Sequence, residues 1–271
     1  MELRGCCAVV TGASSGIGAA TARALADRGA RVALVARTRD ALEEVAADIG
    51  RSGATAAVHA ADLTDARAAA SAAEAIRGDL GVPDVLVNNA GAGRFLFIDE
   101  TAPDEAESMM AVPYFAAFNM TRAVLPDMLA RDSGRVLIVN SPASYVAWPG
   151  ACGYTAARFA MRGFTEGLRA DLHGTGVGVS SVTAGKVRSP YFDNNPGSEE
   201  RIPTITRIIR TLTPEEVAHA VVDALERDKR DVYVPLMLRM NVLQSRFMPR
   251  LSSWVLARTG AKRPVAAGER G

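Results

Sequence analysis

The run Thr11-Gly12-Ala13-Ser14-Ser15-Gly16-Ile17-Gly18 constrains the fold more than any other stretch. An apolar segment, Cys6 to Val10, leads into it and an Ala-rich helical pattern follows. The order is a buried strand, a glycine turn and a helix start. Glycine lets the backbone bend and approach a bound group, and the first helical N–H groups have no partner inside the helix. Together they make a cradle for the pyrophosphate of a dinucleotide, with Ser14 and Ser15 adding hydroxyl donors. The spacing is TGxxxGxG rather than GxGxxG, and glycine turns also serve as plain tight connections. The rest of the chain decides between these readings.

Strand and helix signals alternate almost from end to end, which predicts a parallel sheet covered on both faces. After Gly18 a helix with Ala20, Ala24 and Leu25 on its inner side runs to Gly29. Strands are expected at Val32 to Ala36, around Val58, at Val85 to Val87, Val136 to Val139, Val177 to Val182 and Val232 to Val234. Between them helices are expected from about Thr38, after a Thr64 cap, from Pro103 to about Ala130 and from Cys152 to His173. Thr213-Pro214-Glu215-Glu216 combines a capping box with proline at the first helical position, a clear helix start. No internal repeat or linker marks a second domain. Residues 1–260 are read as one domain, with a C-terminal basic amphipathic segment at 236–260, and 261–271 as a disordered tail.

With 271 residues and 48% hydrophobic content, the chain can bury a sizeable core as a single α/β domain. A formal net charge of +1 gives no pull toward nucleic acid. Cys6, Cys7 and Cys152 form no disulfide framework or metal-ligand spacing, and His59, His173 and His219 stand apart from one another. No metal is expected, and each histidine is read as structural. The first strand signal starts within a few residues of Met1 and no apolar run approaches the length of a membrane span. The expected location is the cytoplasm.

Further features fall in register with the glycine turn. Asp62-Leu63 ends the third strand and Asn88-Asn89-Ala90-Gly91 the fourth; Ser141 follows the fifth, and Tyr154 comes thirteen residues later. Gly185 and Val187 follow the sixth. This set resembles the short-chain dehydrogenase/reductase family over about residues 5 to 235. The resemblance implies a Rossmann-type doubly wound parallel sheet of about seven strands with helices on both faces. It also implies interconversion of a carbonyl and an alcohol by hydride transfer with a nicotinamide coenzyme. Tyr154 takes the family's general acid/base role and Ser141 the role of hydrogen-bonding the substrate oxygen. An ordinary phenol, with a pKa of about 10, needs a nearby cation for that work.

Three positions depart from the family pattern, one of them Ala184, which stands with Gly185 where the family has a proline-glycine pair after the sixth strand. Where the family carries lysine, four residues after the tyrosine, this chain has Arg158, which keeps the charge and ribose-directed donors but cannot pass a proton. The family's helix asparagine, which anchors a proton-relay water, falls on Pro113, and a proline there should kink the helix. The two readings are a working enzyme that has lost the relay, and a nucleotide-binding sensor or partner subunit without turnover.

Coenzyme choice is read from Ala36-Arg37, with Arg39 close behind, where an acidic residue would favour NAD. Arginine matches a 2′-phosphate in charge and fork geometry, so NADP is expected. By resemblance Asp62 and Leu63 border the adenine, Asn89, Ala90 and Gly91 the middle of the coenzyme, and Gly185, Val187 and Ser189 its nicotinamide end. Tyr154 and Arg158 belong to the coenzyme site as well as to the catalytic set.

The segment between Val187 and Thr213 is too long for an ordinary connection and is a lid candidate. It carries Tyr191, Phe192, Ile202, Ile205, Ile208 and Ile209, while Phe95, Phe97, Tyr145 and Trp148 lie on loops expected at the same sheet edge. They imply a roomy apolar pocket for a bulky carbonyl or alcohol, or else packing in the core or an oligomer contact. Cys152 is read as buried and inert. Past Pro235, Met240, Leu243, Phe247, Leu251 and Trp254 sit at helical spacing among arginines, with Pro249 expected to break the helix. Such a segment closes a pocket, packs on a partner subunit, or makes a peripheral membrane contact through 236–263, as in a lipid- or retinoid-type oxidoreductase. The family resemblance implies a homodimer or homotetramer.

Overall fold

The computed structural model describes residues 1–263; residues 264–271, most of the tail expected to be disordered, lie outside the described residues. Seven strands, β1 (Cys7–Thr11), β2 (Arg31–Ala36), β3 (Ala56–Ala60), β4 (Val85–Asn88), β5 (Gly134–Asn140), β6 (Val177–Ala184) and β7 (Asp231–Val234), form one sheet. Every neighbouring pair is parallel, in the order β3-β2-β1-β4-β5-β6-β7. Successive side chains on a strand point to opposite faces, and both faces here are apolar. In β1, Ala8 and Val10 join one core layer while Cys7 and Val9 join the other; in β4, Val85 and Val87 face Leu86 across the sheet in the same way.

The first layer packs the sheet against α1 (Gly16–Asp27), α2 (Arg39–Arg51) and α7 (Pro214–Glu226) through Leu25, Leu42, Val45, Val217 and Val221. The second packs it against α3 (Ala66–Leu80), α5 (Ala116–Ala130) and α6 (Cys152–Asp171) through Ile76, Met120, Val124, Met161 and Leu168. A shorter helix, α4 (Pro103–Met110), precedes α5, and α8 (Met237–Phe247) and α9 (Pro249–Thr259) follow β7. The single doubly wound domain is as expected. At β1 the strand order reverses, β2 lying on one side and β4 on the other. A crevice therefore opens there, beyond the carboxyl ends of the strands.

Local departures from the sequence reading have identifiable causes. The helix expected over 103–130 is interrupted: Ala111–Phe115, with buried Pro113 at its centre, forms a π-turn between α4 and α5. Widening the turn accommodates a proline ring that would otherwise strike the preceding turn of the helix. Thr64 does not cap α3; Asp65 does, accepting the Arg67 N–H at 2.8 Å. Thr64 is engaged by Asp62 instead, through both its N–H (3.0 Å) and its hydroxyl (2.8 Å). Helix α6 stops at Asp171, two residues short of His173. Pro249 divides α8 from α9 as expected.

At α7 the capping box is formed in both directions: Thr213 N–H donates to Glu216 Oε2 (2.9 Å) and Glu216 N–H to Thr213 Oγ1 (3.3 Å). Thr213→Ala should therefore cost about 1 kcal/mol of stability, measured by urea unfolding, with coenzyme affinity unchanged.

Candidate active site

The crevice is a cleft of about 1520 Å³. Its floor is the glycine turn between β1 and α1. Gly12 and Gly16 adopt φ of +64° and +53°, a left-handed region that side chains with a Cβ disfavour. Gly18 stands apart from the cleft lining. A Cβ there would fall 2.0 Å from the Gly12 carbonyl oxygen, so its role is to let α1 close against the turn. The N-cap residue of α1, Ser15, is extended and makes no side-chain cap bond, and Ser14, Ser15, Gly16 and Ile17 line the cleft. The N-terminal N–H groups and their partial positive charge are left for an anion.

Thr11 and Asn89 hold this turn against β4. The Thr11 hydroxyl accepts the N–H groups of Asn89 (3.0 Å) and Ala90 (3.1 Å), while the Asn89 amide donates to the carbonyls of Thr11 (3.0 Å) and Gly12 (3.3 Å). Asn89 lines the cleft, but its amide nitrogen is committed to shaping the turn. On the β2 side, exposed Arg37 lines the cleft and joins no ion pair among the described residues. Opposite it, the two Thr64 hydrogen bonds hold the Asp62 carboxyl below the usual carboxylate range, with a further contribution from Arg37. Leu63 is fixed by the Asn119 amide of α5, which donates to its carbonyl at 2.9 Å.

Tyr154, Ala157, Arg158, Met161, Thr165 and Leu168 form the buried face of α6. The spacing of four places Arg158 one turn beyond Tyr154 on the same side. Its guanidinium lies over the Tyr154 ring, 4.9 Å from the centroid, and a Cβ on Gly91 would fall 2.7 Å from Nη2. Arg158 is only 7% exposed, yet its guanidinium makes no hydrogen bond and no ion pair among the described residues, and Nε is fully buried without a partner. A cation–π contact is worth about 2 kcal/mol when desolvated, too little to offset an unpaired buried charge.

Buried Asn140, at the end of β5, links the main chains of two of the three catalytic candidates, Ser141 and Arg158. Its Oδ1 accepts the Ser141 N–H (2.9 Å) and its Nδ2 donates to the Arg158 carbonyl (3.3 Å). Sequence reasoning passed over Asn140; the signal available was its place directly before Ser141 at a strand end. The Ser141 hydroxyl lines the cleft and accepts the Ala143 N–H at 3.3 Å. Cys152, expected to be buried, is exposed, because it begins α6 on the helix's outer side.

The apolar pocket forms around Tyr154. Phe95 lies 4.7 Å from its ring centroid, Trp148 and Tyr191 each 6.5 Å, and Phe192 and Ile202 pack beside them. Trp148 Nε1 is buried without a partner, a donor available to a ligand. Two of the expected aromatics lie elsewhere. Phe97 sits under the guanidinium groups of Arg201 and Arg263, and Tyr145 hydrogen-bonds Tyr233 at 3.2 Å.

The 188–212 segment covers the pocket and is closed at its base by pairing of Val187 with Leu212. Its far side is clasped to the loop after β4. Asn195 Oδ1 accepts the Gly93 N–H (3.3 Å), Ser198 Oγ accepts the Phe95 N–H (2.9 Å), and the Tyr191 hydroxyl donates to the Gly93 carbonyl. Burial and the neighbouring Tyr154 push the Tyr191 phenol up. Outside the clasp, Arg201 pairs with Glu100. Nothing in the sequence marked Asn195 or Ser198.

Every residue assigned to the site from sequence lines this one cleft except Gly18: Ser141, Tyr154, Arg158, Gly12, Ser14, Ser15, Gly16, Ile17, Arg37, Asp62, Leu63, Asn89, Ala90, Gly91, Gly185, Val187 and Ser189. A floor of left-handed glycines, an uncapped helix start and a guanidinium with no acceptor among the described residues fit a ligand bearing phosphates and ribose hydroxyls.

Comparisons with known proteins agree. A family model described as short chain dehydrogenase matches residues 6–199, and the chain belongs to that family. It is 33% identical over 233 residues to a fatty acyl-CoA reductase of Acinetobacter baylyi, covering 84% of this chain and 76% of that one. It is 35% identical over 229 residues to the glycine betaine reductase ATRR of Emericella nidulans, covering 83% of this chain but only 18% of that much longer protein. Among solved structures, a metagenomic short-chain oxidoreductase in complex with NADP matches with a TM-score of 0.71 at 33% identity, over 86% of this chain and 98% of that one. A short-chain dehydrogenase/reductase from Burkholderia phymatum in complex with NAD shares the fold at a TM-score of 0.83 and 22% identity, over 98% of this chain and 99% of that one. The family is one of dehydrogenases, and solved structures that this chain resembles hold NADP or NAD.

Two outcomes follow from this geometry. Gly18→Ala should cost about 1–3 kcal/mol of stability by overpacking and weaken coenzyme binding as the turn is pushed open, read by thermal unfolding and by coenzyme titration. Arg201 holds the Glu100 carboxyl down to about 2, the Phe97 N–H contributing as well. The folded-state value is depressed, so the clamp is fully present above the ordinary carboxylate range and is lost as pH falls through about 2. Carboxyl NMR should show this midpoint, and Arg201→Ala should return it toward about 4.3.

Proposed function

We propose that the protein interconverts a bulky apolar carbonyl compound and its alcohol with NADP(H), using Tyr154 as acid/base, Ser141 to orient the substrate oxygen and Arg158 as the accompanying cation. The observation that carries this reading is the Arg158 guanidinium, packed against Tyr154 and Gly91 with no acceptor among the described residues. A buried charge left unpaired by the chain is explained if a ligand completes it. When bound, the reduced coenzyme supplies a hydride to the carbonyl carbon.

In the reduction, the Tyr154 hydroxyl donates its proton to the carbonyl oxygen as the carbon accepts the hydride, and the product is the alcohol. The Ser141 hydroxyl hydrogen-bonds the same oxygen and fixes its direction. The positive charge of Arg158 stabilises the phenolate that Tyr154 becomes, without itself exchanging a proton. Phe95, Trp148, Tyr191 and the lid exclude water from the reacting atoms. The same wall favours an apolar substrate, in keeping with the fatty acyl-CoA reductase among its relatives.

Arg37, directly after β2 and without an ion pair among the described residues, supports NADP over NAD. The NADP-bound metagenomic relative is consistent with this choice. Exposed Phe115 (47%), Phe118 (41%) and Phe159 (43%) on the helices beside the site support a homodimer or homotetramer. The free thiols of Cys6, Cys7 and Cys152 are consistent with a cytoplasmic location.

A second reading is favoured by Pro113, buried in the π-turn of the helix that borders the cleft. It supplies neither an amide side chain nor an N–H to hold a relay water, as in a nucleotide-binding sensor or partner subunit that no longer turns over. NADPH oxidation measured across a panel of ketones and aldehydes separates the two. The enzyme reading predicts turnover that falls by about a thousandfold or more in Tyr154→Phe while NADPH binding persists. Tight binding without oxidation would select the second. Arg37→Asp should shift coenzyme preference from NADPH toward NADH by about tenfold or more in kcat/KM.

A further inference from the structure

The structure separates two sides of the α8–α9 hairpin that the sequence runs together. Leu238, Asn241 and Ser245 of α8, with Ser252, Val255 and Leu256 of α9, face the cleft and wall it. On the opposite side of α8, Leu236, Met240, Leu243 and Phe247 recur at steps of three and four residues and form a single stripe. On α9, Leu251 and Trp254 are exposed as well. These side chains point to solvent, with Phe247 79%, Leu236 71%, Met240 66% and Trp254 56% exposed. So many exposed large apolar groups are unusual for a water-facing helix pair.

The border of the stripe is basic. Arg239 and Arg246 flank it on α8, and Arg250 and Arg258 on α9, with Arg258 lying over Trp254 at 5.0 Å. None of these four arginines joins an ion pair among the described residues. The sequence holds no acidic residue between Asp231 and Glu269. A second copy of this face would set arginine against arginine. The exposed phenylalanines of α5 and α6 offer a separate apolar surface for self-association without that cost.

We propose that the α8–α9 hairpin docks on an anionic lipid surface, its apolar stripe entering the acyl boundary and its arginines meeting the headgroups. Among the described residues no helix is long and apolar enough to cross a membrane, so the contact is peripheral. Since the same hairpin walls the cleft, docking sets the substrate pocket beside the bilayer. For its substrate class, the inference rests on the reading of the Tyr154 site given above: the carbonyl compound or alcohol partitions into lipid.

The test is co-sedimentation of the full chain with vesicles of phosphatidylcholine alone and of phosphatidylcholine with phosphatidylglycerol, at low and high salt. It needs neither coenzyme nor turnover, so its outcome is independent of the catalytic reading. The expected result is binding to the phosphatidylglycerol vesicles, weakened several-fold by salt or by omitting the anionic lipid. The triple variant M240D/F247D/W254D should lose about tenfold or more of this binding while keeping activity on a small water-soluble ketone. Trp254→Phe, a conservative change, should bind vesicles yet lose the blue shift in tryptophan emission that accompanies docking. No binding to anionic vesicles at low salt would overturn the proposal, as would binding unchanged by the triple variant. Loss of a dimer in the triple variant, with no lipid binding by the wild type, would assign the face to self-association instead.

Discussion

A guanidinium buried without an acceptor is the constraint around which this site is organised. Arg158 is carried by α6 to the wall of the cleft, with its Nε fully buried and only 7% of the residue exposed. It rests on the Tyr154 ring and against the backbone at Gly91, where any side chain would displace it. Neither neighbour supplies a carboxylate. Folding therefore accepts a cost at this point, and the residues that share the cost border a cleft shaped for a phosphate-bearing ligand. Asn140 ties the backbone at Ser141 to the α6 turn that carries Arg158 through one buried amide.

The architecture was legible because its signals are periodic and local. Alternate-face burial in β1 and β4, the capping box at Thr213 and the glycine turn each depend on a few neighbouring residues, and each is found as expected. Signals that depend on competition between partners were harder to read. Thr64 was an adequate cap by type, but Asp62 stands two residues away and takes both of its donors, leaving the cap to Asp65. Pro113 predicts a kink, and the helix answers by widening into a π-turn over Ala111–Phe115 that takes in the ring.

The candidate site was legible in its residues more than in their division of labour. Nearly all of the assigned positions border one cleft, yet Gly18 acts behind it and the Asn89 amide serves the turn rather than open space. The lid was visible as an overlong connection. Its clasp was not, because Asn195 and Ser198 reach backbone N–H groups of Gly93 and Phe95, a hundred residues distant in the chain. In the C-terminal hairpin, helical phase supplied what composition could not. Arginines that look scattered along the sequence border one apolar stripe once α8 and α9 are in place, and the opposite side closes the cleft.

The central claim is that the Arg158 charge is stationed for a coenzyme rather than for the fold, and Arg158→Leu separates these roles. Calorimetric titration with NADPH and NADH, paired with thermal unfolding of the wild type and the variant, measures both. The account predicts that the variant is no less stable than the wild type, because an unpaired buried charge has gone, while its NADPH affinity falls by about tenfold or more. Undiminished affinity in Arg158→Leu, or a wild-type protein that binds neither reduced coenzyme, would contradict it.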